Sequence, residues 1–220
     1  MIKDLITGFK LLKYGYKIKL NLIMIAIFMA IGVVVEVTSG GGNVIGGFYF
    51  MILGMFAYQM IISMDVSTYV ASSPMQRKLQ LTIPVITSTV FYMVIYTFLL
   101  IEKSVLIHLH PEKEDVYVGT LFMMLVFMVA TFVFVAVCFK YYWLGFILMM
   151  AMVFGSQFLM LNMFMNEEGE IAVGIINFPV IAAAGYVIII LGGLLEYGIA
   201  RLLYRKPLSE FAFRGVFKDA

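Results

Sequence analysis

The sequence predicts an all-α membrane protein: six transmembrane helices behind an N-terminal amphipathic interfacial helix, with both termini cytoplasmic. Three observations lead there. The 220-residue chain is 63% hydrophobic and only 13% charged, with a mean hydropathy of +1.03. Soluble domains are about half apolar and about a quarter charged, so water alone would not solvate this surface. The apolar residues gather in six runs, each near the roughly 20 residues a helix needs to cross hydrocarbon. Lysine and arginine cluster in one set of the connections between those runs.

Residues 1–19 form the interfacial helix. Ile2, Leu5, Ile6, Phe9, Leu12 and Tyr16 recur at helical spacing, with Lys3, Lys10, Lys13 and Lys17 mostly between them. Such a helix lies along the inner membrane surface with its lysines at the headgroups. The pattern suits a plain anchor and a docking surface for a partner equally well. The spans follow at 20–37, 43–64, 81–101, 118–139, 142–164 and 179–203, leaving 204–220 as a cytoplasmic tail. The whole chain is one transmembrane domain. Barrel strands would be shorter and would alternate with polar residues. The first run is too long for a cleaved signal segment, lacks a small-x-small site and is followed by five more spans.

Orientation comes from the cations. Of the 15 lysines and arginines, all but Lys103 and Lys113 fall in the N-terminal segment, the second and fourth connections or the tail. That side is cytoplasmic. The opposite connections carry Glu36, Glu102, Glu112, Glu114, Asp115, Glu167, Glu168 and Glu170. Tyr141, Tyr142 and Trp143, beside Lys140, fit an aromatic belt at the inner interface.

The second connection contains Ser72, Ser73, Pro74, Met75, Gln76, Arg77 and Lys78. A hydroxyl residue followed by proline is a helix start: an N-cap, then a first helical position that needs no N–H. A short cytoplasmic helix therefore begins at Ser73 and runs towards the third span. A plain positive-inside loop accounts for the charges but not for this capped start.

Ser72-Ser73-Pro74-Met75-Gln76-Arg77-Lys78-Leu79 resembles the small-Pro-x-x-Arg segment between spans two and three of ABC-2-type exporter permeases. In that family the segment is the coupling helix, seated in a cleft of the ATPase subunit. The exit of the last helix, Leu202-Leu203-Tyr204-Arg205-Lys206-Pro207-Leu208, is similar to theirs. Topology, size and amphipathic first helix agree over the whole chain. The resemblance implies the permease subunit of an ATP-driven exporter in a bacterial plasma membrane. It implies a separate ABC ATPase carrying ATP and Mg, a homodimer or a heterodimer with a second permease, and an amphipathic peptide or other hydrophobic cargo. The family often places a re-entrant helix between spans five and six; residues 170–178 are the only room for one.

Absences agree with that reading. No G-x-x-x-x-G-K-[ST] occurs, so a P-loop ATPase must be a separate polypeptide. No ionisable group lies deep in a span, and Glu36, Asp65 and Glu196 sit near span ends, unlike the mid-membrane groups of ion-coupled carriers. The single Cys138 excludes an internal disulfide and a cysteine-cluster metal site. His108 and His110, in the acidic outer connection 102–115, read as a solvated loop rather than a metal site. Nothing points to a catalytic centre, a bound cofactor or nucleic acid. Gln59, Gln157 and Asn162 are candidate path-lining residues, because hydrocarbon would leave their amides unpaired. The Met-rich stretches 122–128 and 148–152 read as lipid-facing filler rather than as an adaptable cargo groove. Ala26, Ala30, Gly192 and Gly193 allow close helix approach.

Two other classes compete. An intramembrane protease would use Gly155-Ser156, but both histidines lie in the outer connection. The substrate-binding membrane subunit of a vitamin importer also has six spans; it needs a polar outer pocket, which the acidic connections do not suggest.

Overall fold

The computed structural model describes residues 2–13, 18–42, 44–65, 70, 72–138, 140–164, 177–207 and 209; for residues 2, 56–65, 156, 157 and 159–164 it describes the backbone only. All regular structure among the described residues is helical. In chain order the helices are α1 (Ile2–Leu12), α2 (Ile18–Thr38), α3 (Val44–Asp65), α4 (Ile83–Leu109), α5 (Glu114–Cys138), α6 (Tyr142–Phe164) and α7 (Phe178–Leu203). A π-helical turn, Lys78–Thr82, leads into α4, and a 3₁₀ turn, Pro111–Lys113, leads into α5.

Among the described residues, four helical segments are long and apolar enough to cross a membrane: Ile18–Thr38, Lys78–Leu109, Pro111–Cys138 and Phe178–Leu203. The other two long helices, Val44–Asp65 and Tyr142–Phe164, have 22 and 23 residues and carry no charged residue before Asp65. Each of the six expected runs therefore coincides with one long helix.

The third helix extends furthest beyond its apolar run. At 32 residues, Lys78–Leu109 is about 48 Å long and overshoots a hydrocarbon core of about 30 Å at both ends. The expected outer loop at 102–115 is mostly helix instead. Residues 102–109 finish α4, and α5 starts at Glu114, where Glu114 and Asp115 favour the positive end of the helix dipole. Only His110 and the Pro111–Lys113 turn connect the two.

Helix α5 is the centre of the bundle. It packs on α3, α4, α6 and α7, and most of its residues are buried. Its methionines correct the expectation for the first Met-rich stretch. Met123, Met124 and Met128 are buried in the core rather than facing lipid, and the Met124 thioether lies against Gly47 of α3. An unbranched, polarisable side chain suits a gap beside a glycine. Gly192 and Gly193 bring α7 against Phe132 of α5 and Thr89 of α4, which is the close approach their size allows. Ala26 and Ala30, by contrast, are exposed on α2.

The outside of the bundle is greasy. Leu20, Ile23, Ile27 and Val34 of α2, and Leu191, Leu194 and Leu202 of α7, are exposed. Helices apolar on all sides fit a bilayer rather than water. Tyr141 and Trp143 are exposed where α6 begins.

Candidate functional site

The end of the bundle that carries most of the cations is built from α1, the 72–82 segment, the α5–α6 turn and the exit of α7. Ser73 Oγ accepts a hydrogen bond from the Met75 N–H at 3.2 Å. With Pro74 between them, this is the expected N-cap geometry. Gln76 N–H donates to the Ser73 carbonyl at 3.0 Å and Leu79 N–H to the Met75 carbonyl at 3.0 Å. The short helix is not a separate element. It runs through Gln76 and Arg77 into the π turn and on into α4 as one continuous rod.

The π turn has a local cause. Pro84 lacks an N–H, and its ring would collide with the carbonyl of Gln80 in a regular α-helix. The backbone widens by one residue, so the Ile83 N–H bonds the Lys78 carbonyl. Ser72, Pro74, Met75, Arg77 and Lys78 are exposed at the free end, and Ser73 and Gln76 are partly buried.

Helix α1 is fastened to the base of this rod. Asp4 Oδ1 lies 2.6 Å from Lys78 Nζ. The hydrogen bond from Lys78 holds the Asp4 carboxyl below its usual value of 3.8, despite partial burial. One turn on, Gly8 is buried against Ile83 and Thr87, and any Cβ there would strike the Thr87 hydroxyl. On the neighbouring turn, Lys140 Nζ donates to the Lys206 carbonyl at 2.6 Å and ties the α5–α6 connection to the exit of α7.

The acidic end holds a feature the sequence conceals. Lys103 does not stand in an outer loop; its side chain is only 1% exposed. Its ammonium donates to Glu36 Oε2 at 2.9 Å, Glu102 Oε1 at 3.1 Å and the Gly41 carbonyl at 2.8 Å. Gly40 and Gly41 have φ of 61° and 74°, the left-handed region glycine enters without a Cβ clash, and this turns the Gly41 carbonyl onto Lys103. Gly46 of α3 leaves room for the Glu36 carboxyl. Two carboxylates and one ammonium thus bind the C-terminal ends of α2 and α4 to the α2–α3 turn.

A second buried acid is Glu196 of α7, 1% exposed and seven residues before the end of its helix. Its Oε2 lies 3.1 Å from the Ser88 hydroxyl of α4. Its Oε1 has no hydrogen-bond partner. Glu36 and Glu196 are near helix ends in sequence, as expected, but both sit inside protein rather than at a wetted boundary. Neither cluster is legible in the sequence; the one available signal is an acid, Glu36 or Glu196, inside a run otherwise fit for hydrocarbon.

The remaining candidates divide simply. Gln59 lies on α3, and Gln157 and Asn162 on α6, but their side chains fall outside the described residues, as do Ser156 and most of 170–178. His108 is in the last turn of α4 and His110 follows that helix, both exposed, with His110 Nδ1 3.3 Å from Glu112 Oε1. The described residues contain no group of three or more His, Cys, Asp or Glu placed to hold a metal. No family model, curated protein or solved structure matches the chain.

Proposed function

We propose that the chain is a six-span permease subunit of an ATP-driven exporter of the ABC-2 type, with both termini cytoplasmic and ATP hydrolysis on a separate subunit. The observation that carries this reading is the capped segment at 72–78, continuous with a membrane-length helix. A cytoplasmic stub can transmit force into a membrane only if it is stiff and fixed at its base. Ser73 and Pro74 stiffen its start, and α1 holds its base through Asp4 and Gly8. The exposed Arg77 and Met75 are the groups offered to an acidic, partly apolar cleft on the ATPase.

Two such subunits, or one with a related chain, would form the path for an amphipathic peptide or a similarly hydrophobic cargo. Movement of the two rods would switch it between inward and outward access. The test is purification from the native membrane in mild detergent. A P-loop ATPase that co-purifies and is stimulated by cargo supports the reading; a chain that purifies and transports alone excludes it.

Glu196 favours a second reading, an ion-coupled carrier, because an acid inside a span marks an ion or proton pathway in many membrane proteins. Transport that stops on collapse of the proton gradient but continues without ATP would favour that reading. Transport that needs ATP and survives an uncoupler would favour the exporter.

A further inference from the structure

Helix α1 has two different faces. The wide apolar arc read from the sequence is divided between them. Asp4, Leu5, Gly8 and Leu12 turn towards the bundle, with Gly8 seated on Ile83 and Thr87 and Asp4 on Lys78. Lys3, Ile6, Phe9, Lys10 and Lys13 are exposed on the other side. At 3.6 residues per turn these five fall within an arc of about 120°. Ile6 and Phe9 are 49% and 47% exposed, which is unfavourable against water. Three ammonium groups in the same arc are unfavourable against hydrocarbon. The headgroup layer accommodates both: the apolar side chains enter the acyl boundary while the lysines reach the phosphates. The helix's single acid, Asp4, is on the opposite face, so nothing within the arc offsets its positive charge. The seat on α4 fixes the rotation of α1, so the face is presented ready-made.

We propose that this face of α1 is a binding surface for anionic lipid headgroups. The proposal rests on the membrane orientation above and not on the exporter assignment, and its test contains no ATPase. The full chain is placed in lipid nanodiscs, one set zwitterionic and one containing about a third phosphatidylglycerol, and amine acetylation is followed lysine by lysine. Exposed Lys206, at the same end of the bundle, reports the general surface potential. Relative to Lys206, we expect Lys3, Lys10 and Lys13 to react about fivefold more slowly in the anionic discs. About 0.5 M salt should restore the rates. Equal slowing of Lys206 and the α1 lysines would reduce the effect to the general potential and overturn the proposal. So would rates that do not depend on lipid, or slowing that resists salt.

Discussion

Lys103 is the residue whose environment departs most from its sequence context. It lies beside Glu102 at the end of an apolar run, which reads as a boundary charge in water. Its partner Glu36 is 67 positions away and on another helix. No local pattern encodes that pairing; it exists because α2, α4 and the Gly40-Gly41 turn meet. Removing one member of a buried pair strands the other's charge, which costs about 3–5 kcal/mol. Lys103→Met should therefore destabilise the protein by that order, read as the midpoint of unfolding in mixed detergent. Adding Glu36→Gln should recover part of the loss. If Lys103→Met unfolds like the parent, the pair does not hold the two helix ends together. Gln59 and Gln157 make a different prediction at the same scale. If their amides line a path, leucine at either position should impair transport while assembly stays intact, and unchanged transport in both variants would remove them from the path.

At the scale of elements, the capped stub at 72–78 is legible because its determinants are local. A serine and a proline in succession specify a helix start, and Ser73 makes the capping bond that pairing implies. Its continuity with α4 and the π turn were not legible, since Pro84 read equally as part of a span. Ser73→Ala should cost about 1 kcal/mol locally and weaken coupling without unfolding the chain. Pro84→Ala should have a larger effect on direction. Closing the π turn into an α turn rotates everything before it by about 100° relative to α4. Lys78 would leave Asp4, and spin labels on α1 and at Met75→Cys should report a changed distance. An unchanged distance would mean that the proline does not set the register. The Asp4–Lys78 contact also fixes a pH dependence. Asp4 has a depressed pKa, so its contribution is complete above the usual value of 3.8 and is lost only as pH falls through the lower folded value. The same label distance should hold from neutral pH down to that range and increase below it.

For the whole molecule, the number and position of the long helices could be read from apolar length alone, because hydrocarbon thickness sets helix length. Which helix stands at the centre could not. α5 and α2 are both apolar on every side, yet α5 is buried on four neighbours while α2 packs chiefly on α3. A helix without a polar stripe does not announce which face meets protein and which meets lipid, and the Met-rich start of α5 was misjudged for that reason. Orientation rests on the unequal distribution of lysine and arginine. In a Cys138→Ala background, an impermeant thiol reagent applied to intact cells should modify Ser104→Cys and spare Ser72→Cys, both exposed positions at opposite ends of Lys78–Leu109. The reverse pattern would invert the topology.

The proposed coupling of this bundle to an ATPase through residues 72–78 turns on Arg77. Arg77 is exposed at the free end of the rod, so its replacement leaves the buried packing intact. Lys78 and the other cations at that end of the bundle are left to direct insertion. Arg77→Glu sets a negative charge against the acidic cleft that the exporter reading requires. The measurement is co-purification of the ATPase together with its cargo-stimulated hydrolysis, for Arg77→Glu beside the parent at equal membrane levels. The expected result is normal insertion, reduced ATPase recovery and loss of cargo stimulation. An Arg77→Glu chain that retains its ATPase and exports cargo at the parent rate would contradict it.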